Sequence, residues 1–126
     1  MIISIGIDII EVRRVRETIE RTPRFAERVF TEAERAYCES RGVVAAQHYA
    51  ARFAAKEAAL KALQTGWSSG LAWQDIEVSA KESGAPVITF HGRALELYQQ
   101  SGATAAHISI AHTTEHAVAQ VILEKV

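Results

Sequence analysis

Apolar and polar positions alternate from residue 2 to residue 10. Ile3, Ile5, Ile7 and Ile9 project one way and Ser4, Gly6 and Asp8 the other. This predicts a strand with Asp8 near its C-terminal end, on the face opposite the isoleucine row. The period then lengthens. Val12, Val15 and Ile19 recur at helical spacing up to residue 21, before Pro23 interrupts, and Phe25 and Val29 continue as a short helical turn. Thr31 followed by Glu34 has capping-box spacing and predicts another helix, ending near Gly42. From about Val44 to Gln64 an alanine-rich segment sets Tyr49, Phe53, Leu60 and Leu63 at roughly helical intervals. It predicts the longest helix, stopped at Gly66 and followed by the loop Thr65–Gly70. Trp73–Ala80 and Pro86–Phe90 read as strands joined by a turn at Glu82-Ser83-Gly84, and 93–101 as a short helix ended by Gly102. Residues 105–112 and 116–124 are alternating strands joined through Thr113-Thr114-Glu115. The order β-α-α-α-β-β-α-β-β, without repeat or linker, predicts the α+β class: one domain over 1–126, a mostly antiparallel sheet with helices on one side.

Composition adds limits. With 48% apolar and 23% charged residues the chain can build a core, which excludes global disorder. A formal net charge of −1 gives no general drive toward nucleic acid or membranes. A chain of 126 residues leaves much surface exposed, so a large ligand is expected in a surface cleft or between subunits. Arg13, Arg14, Arg16, Arg21, Arg24, Arg28, Arg35 and Arg41 fall in one stretch interleaved with glutamates. By composition alone they read as solvated helix faces laced with ion pairs. Cys38 is the sole cysteine, which rules out an internal disulfide and suits a reducing compartment. The apolar start lacks a basic n-region and a cleavage site, and no run reaches membrane-spanning length. A soluble cytoplasmic protein is the expectation.

Candidate chemistry concentrates in Arg52-Phe53-Ala54-Ala55-Lys56-Glu57-Ala58-Ala59-Leu60-Lys61 of the long helix. Glu57 and Lys61 lie one turn apart, with Phe53 one turn earlier on the same stripe. Exposed, such a pair contributes only about 0.3–0.5 kcal/mol. A stripe opening with phenylalanine is partly buried, however, and a carboxylate there needs a counter-charge or a metal. The chain has only two aspartates, and Asp8 follows a glycine-containing stretch at a strand end. An Asp and a Glu converging from strand end and helix suit a magnesium ion that keeps waters and gains ligands from phosphates. A lysine beside them neutralises phosphate charge. Gly66 either caps the helix or opens a loop whose backbone N–H groups approach a phosphate. His107 and Ser109 share one face of their strand and His112 the other. There is no zinc spacing, Gly-x-Ser-x-Gly, Walker-type loop or dinucleotide fingerprint.

Three segments together resemble the holo-acyl-carrier-protein synthase family of phosphopantetheinyl transferases, of the short bacterial type. They are Ile5-Gly6-Ile7-Asp8 with Glu11 and Arg14; Arg52-Phe53-Ala54-Ala55-Lys56-Glu57-Ala58 continuing to Lys61, Thr65 and Gly66; and His107-Ile108-Ser109-Ile110-Ala111-His112-Thr113. The likeness spans essentially the whole chain. It implies the 4'-phosphopantetheinyl transferase fold, with Asp8, Glu57 and Lys61 catalytic and Asp8 and Glu57 as magnesium ligands. It also implies that Arg52, Phe53, Lys61, Gly66, His107 and Ser109 hold coenzyme A. Arg14, Arg21 and Arg24 would dock an acidic apo acyl carrier protein, which replaces the reading of the arginines as an inert solvated face.

The reaction so implied moves 4'-phosphopantetheine from coenzyme A to a carrier serine in fatty acid biosynthesis, with Glu57 or a water it orients taking the serine proton. A homotrimer is implied as well, each site combining Asp8, Glu57 and Lys61 of one chain with His107 of its neighbour. Two rivals stand beside this reading: a metal-dependent nuclease, and a non-catalytic module that binds coenzyme A or the carrier.

Overall fold

The computed structural model describes residues 1–66 and 70–126. The chain runs β1 (Ile2–Glu11), α1 (Val12–Arg21), α2 (Arg24–Val29), α3 (Glu32–Glu39), α4 (Ala45–Ala62), β2 (Ile76–Ala80), β3 (Pro86–Phe90), α5 (Gly92–Gln100), β4 (Ala105–His112) and β5 (His116–Glu124). The α+β class is as expected, with one helix more than the expected order, because the short turn around Phe25 and Val29 forms the helix α2. The strands divide between two antiparallel sheets, however: a three-stranded one in the order β1-β5-β4, and the β2-β3 hairpin beside it.

Two boundaries differ from expectation for local reasons. Trp73–Asp75 forms a 3-10 turn rather than the start of β2. The Asp75 carboxylate accepts from the Ala72 N–H, and the Gln74 side chain donates to the carbonyls of Glu27 and Phe30. Those bonds hold the segment out of the ladder. Helix α4 ends before Gly66, because Gln64 takes the left-handed conformation at φ 57°. The Thr65 N–H then returns to the Leu60 carbonyl and the Gln64 N–H to that of Lys61, a Schellman closure without glycine. At α3 the capping box between Thr31 and Glu34 is present as expected.

Helix α4 covers one face of the three-stranded sheet. It meets Ala119, Val121 and Leu123 of β5 through its own alanines. On β1 the inward residue is Gly6, where a Cβ would collide with the Ala58 carbonyl. Ser4 Oγ donates to the Ala62 carbonyl on the same face. Ile5, Ile7 and Ile9 accordingly point away from the helix, at 55%, 55% and 65% exposed. Ile3 leaves the expected row and packs against the core, where the register with β5 shifts between Ile2 and Ser4. A second apolar cluster joins Val12 and Val15 of α1, Val29, Phe30 and Cys38 to Tyr49, Ala50 and Ala51 of α4.

Candidate active site

Strand β1 runs antiparallel to the helix it lies on, since Ser4 meets Ala62 and Gly6 meets Ala58. Two strand residues advance about as far as four helical ones, so Asp8 comes level with the turn that carries Glu57. There Lys61 reaches back. Its Nζ donates to the Ile7 carbonyl at 2.9 Å and to Asp8 Oδ1 at 3.0 Å. Asp8 Oδ2 is buried without a hydrogen-bond partner among the described residues. A buried carboxylate oxygen left open is costly unless something of positive charge meets it. Glu57 is half-buried on the same helical face. Among the described residues no group of three His, Cys, Asp or Glu side chains converges to hold a metal. A pair of carboxylates still fits magnesium, a hard cation that takes oxygen ligands and keeps several waters.

Phe53, one turn from Glu57, stacks on Trp73 with ring centroids 5.1 Å apart. It also lines a groove of about 420 Å³ with Ile9, Ile10, Val15, Phe25 and, at its edge, Arg14. Arg14 and Arg21 share one face of α1, being seven residues apart. Arg24 lines an adjoining depression with Phe25 and Arg28. Among the described residues Arg14, Arg21 and Arg24 make no ion pair; of the α1 arginines Arg13 does, with Glu17. Glu11 lines the same groove and Glu27 the depression, so these arginines, though in no ion pair among the described residues, stand on a rim of mixed charge.

Arg52 occupies a different cleft, of about 200 Å³, on the far side of α4. Arg52 is 5% exposed, its guanidinium lies 4.1 Å above the Tyr37 ring, and its Nε has no partner among the described residues. His48 and His112 share that cleft, with the β2–β3 turn at Gly84 and Pro86 as its outer wall. His112 is the strand histidine that the sequence set on the face opposite His107. Alternation set it on that face; its place beside Arg52 comes from the packing of α4 against the sheet.

His107 and Ser109 are not brought to this set. They lie on the uncovered face of the sheet, in register through Ile122 and Gln120 with Ile5 and Ile7. His107 Nε2 there pairs with Glu124 at 2.9 Å. Within one chain they are separated from Asp8 and Lys61 by the thickness of the sheet. Gly66 is exposed just beyond α4, and the rest of the phosphate-cradling loop expected there includes residues 67–69, outside the described residues.

Sequence reasoning missed Lys56. Its side chain is fully buried and pairs with an equally buried Glu34 at 2.9 Å. It also donates to the carbonyls of Trp73 and Ile76. Glu34 accepts in turn from the N–H groups of Thr31 and Val78, so every oxygen is used. Burial pushes the Lys56 ammonium below the ordinary lysine range against the pull of Glu34. The signal was present in the heptad that sets Lys56 midway between Tyr49 and Leu63, on the buried stripe. Burial likewise raises the Cys38 thiol to about 12, which leaves it unreactive.

Over residues 4–121 the chain matches the 4'-phosphopantetheinyl transferase superfamily. It is 48% identical over 125 residues to the holo-[acyl-carrier-protein] synthase of Koribacter versatilis, covering 98% of this chain and 99% of that one. The corresponding protein of Trichlorobacter lovleyi is 46% identical, with 98% of each chain covered. Among solved structures, the Bacillus anthracis holo-(acyl-carrier-protein) synthase in complex with CoA (3',5'-ADP) superposes with a TM-score of 0.82 at 38% identity, over 100% and 99% of the chains. The Helicobacter pylori synthase in complex with coenzyme A gives 0.82 at 31%, over 95% and 99%.

Proposed function

The chain belongs to the 4'-phosphopantetheinyl transferase superfamily, and on that premise we propose that it moves the 4'-phosphopantetheine arm of coenzyme A onto a serine of an apo acyl carrier protein. The serine oxygen bonds to the pantetheine-side phosphorus and the bond to the nucleotide phosphate breaks. Adenosine 3',5'-bisphosphate leaves, and the serine proton goes to Glu57 or to a water that Glu57 orients. The observation that carries this reading is the meeting of Asp8 and Lys61 beside the Glu57 turn, with Asp8 Oδ2 buried and unpartnered.

In this reading Asp8 and Glu57 hold Mg2+, which when bound neutralises charge on the pyrophosphate oxygens. Lys61 spends two of its three N–H donors on Ile7 and Asp8, and its third is directed at the leaving phosphate. Arg52 takes a phosphate of the nucleotide in the cleft behind α4, which His112 also lines. Phe53 forms a wall of the groove where an acidic carrier docks, its acidic residues on the Arg14, Arg21 and Arg24 rim and its apolar ones below.

The exposed isoleucine face is read as an interface between copies, and a homotrimer is the assembly we propose. Ile5, Ile7 and Ile9, with Ile122 and Val118 in register beside them, form an apolar face that favours burial against another chain. His107 and Ser109 lie on that same face, where a neighbour's ligand would meet them. Residues 1–126 are read as one transferase domain, working in the cytoplasm in fatty acid synthesis. No helix among the described residues is long and apolar enough to cross a membrane.

The test is to incubate the protein with coenzyme A, Mg2+ and an apo acyl carrier protein and to weigh the carrier. Gain of one phosphopantetheine supports the reading. A carrier that binds but keeps its mass would make this a binding module and overturn the transferase.

A further inference from the structure

The cleft assigned above to a nucleotide phosphate contains two imidazoles as well as Arg52. His48 on α4 and His112 on β4 meet edge to face, with ring centroids 4.8 Å apart. Tyr37 on α3 presents its ring to His48 at 5.6 Å. The remaining charged neighbours are Arg41, at the end of the α3 segment, and Arg52, one turn along α4. Both guanidiniums lie over the Tyr37 ring, at 5.3 and 4.1 Å. Among the described residues that line the cleft, from α3, α4, β4 and the β2–β3 wall, the charged or titratable ones are Tyr37, His48, Arg52 and His112, and none is a carboxylate. Burial first, then His112, Arg41 and Arg52, hold His48 below the ordinary imidazole range. His112 Nδ1 donates to Gln47 Oε1 at 2.9 Å, which leaves its Nε2 as an acceptor with no proton to offer an anion. The cleft is therefore short of negative charge and holds a proton-accepting ring beside a buried guanidinium whose Nε has no partner among the described residues.

We propose that His48 makes nucleotide capture proton-linked: a phosphate dianion seated beside Arg52 and His112 draws a proton from solvent onto the His48 imidazole. This rests on the reading of the cleft as a phosphate subsite. The balance is simple. A neutral ring and a dianion enter, one proton leaves the buffer, and an imidazolium–phosphate pair results. Binding thus raises the affinity of His48 for its proton, and by linkage nucleotide affinity is greatest in acid. It falls as pH rises toward the bound-state value, by up to ~tenfold per pH unit for each proton taken up. The direction is diagnostic. A phosphate monoester titrates near pH ~6, and on entering a cationic cleft it releases protons. Net uptake has to come from the protein.

The measurement is calorimetric titration of the full-length chain with adenosine 3',5'-bisphosphate, in buffers of different ionisation enthalpy between about pH 6 and 8. The slope of the observed heat against buffer enthalpy counts the protons. Wild type is expected to take up about half a proton or more near neutrality. His48→Phe is expected to lose most of that uptake and to flatten the pH dependence of Kd. Zero uptake or net release by the wild type overturns the proposal, and so does unchanged uptake in the variant. Should His48→Phe fail to fold, His48→Gln takes its place, and the sign of the wild-type slope alone can still sink the idea. Failure of the wild type to bind the bisphosphate at any pH is a separate result. It removes the phosphate subsite itself, and this inference with it.

Discussion

Helix α4 carries two lysines five residues apart, and their ion pairs have nearly equal lengths: Lys56 to Glu34 at 2.9 Å and Lys61 to Asp8 at 3.0 Å. The settings differ. Lys56 and Glu34 are wholly buried, each Lys56 donor and both Glu34 oxygens have partners inside the protein, and the pair ties α3 and the start of β2 to α4. Lys61 is more than half exposed, and Asp8 keeps one oxygen unused. The same pair chemistry thus yields a closed strut in one place and an open site in the other. What separates them is whether any donor or acceptor remains for something outside the chain.

Breaking the closed pair should have the largest effect. Lys56→Met leaves Glu34 buried without its counter-charge, and about 3–5 kcal/mol of unfolding free energy should be lost in urea titration. That is a large share of the ~5–15 kcal/mol a domain of this kind possesses. Adding Glu34→Leu should recover most of it, because the desolvated carboxylate is then gone. If the single variant unfolds near the wild-type midpoint, the pair is not the strut described.

Asp8→Asn inverts the pattern. Transfer to the carrier should fall by about 10²–10³-fold at saturating substrates, while stability should change by no more than about 1 kcal/mol. A variant that is both stable and active would remove Asp8 from the chemistry.

Lys61→Ala tests the open partner and should act more weakly. The expected loss is about 10- to 100-fold in kcat/KM for coenzyme A, with stability within about 0–1 kcal/mol of wild type. Equal losses of activity and stability would make this a second strut.

The smallest effect extends the closed network toward solvent. Glu77 accepts from the Thr31 hydroxyl and pairs with His91, and those two contacts, in that order, hold its carboxyl below the ordinary 4.5. The stabilisation is complete above that ordinary value and is lost as pH falls through the lower folded one. Thermal melts of Glu77→Gln should therefore show a shallower loss of Tm in acid than wild type, by the equivalent of about 1 kcal/mol or less. Parallel acid profiles would place the effect elsewhere.

Much of this comparison was legible before any coordinates. Alternation in β1, β4 and β5 gave the strand positions, and it set Asp8 on the face away from the isoleucines and His112 opposite His107. It could not reveal which face the helix covers. An isoleucine row ordinarily marks the core, but here glycine and alanine allow backbone contact on the other face, and the isoleucines are left outside. Glu34 was recognised as a helix cap and not as a buried carboxylate, because its second partner lies far along the chain in β2. The placing of Arg52 in a cleft apart from Asp8 likewise depends on which way α4 is rotated, and an alanine-rich helix buried nearly all round has too little amphipathic contrast to fix that.

The contact at Gly6 sets a timescale as well as a distance. With no side chain between strand and helix there is no soft layer in which β1 and α4 can slide, and Ser4 pins the far end to Ala62. Asp8, two residues on, is carried by the same rigid unit as the turn bearing Glu57. Amide protons of Gly6 and Asp8 should therefore exchange with deuterium only at the rate of global unfolding, along with those of α4. The two carboxylates then hold their spacing between turnovers, and whatever motion admits a long pyrophosphate belongs to the walls around them.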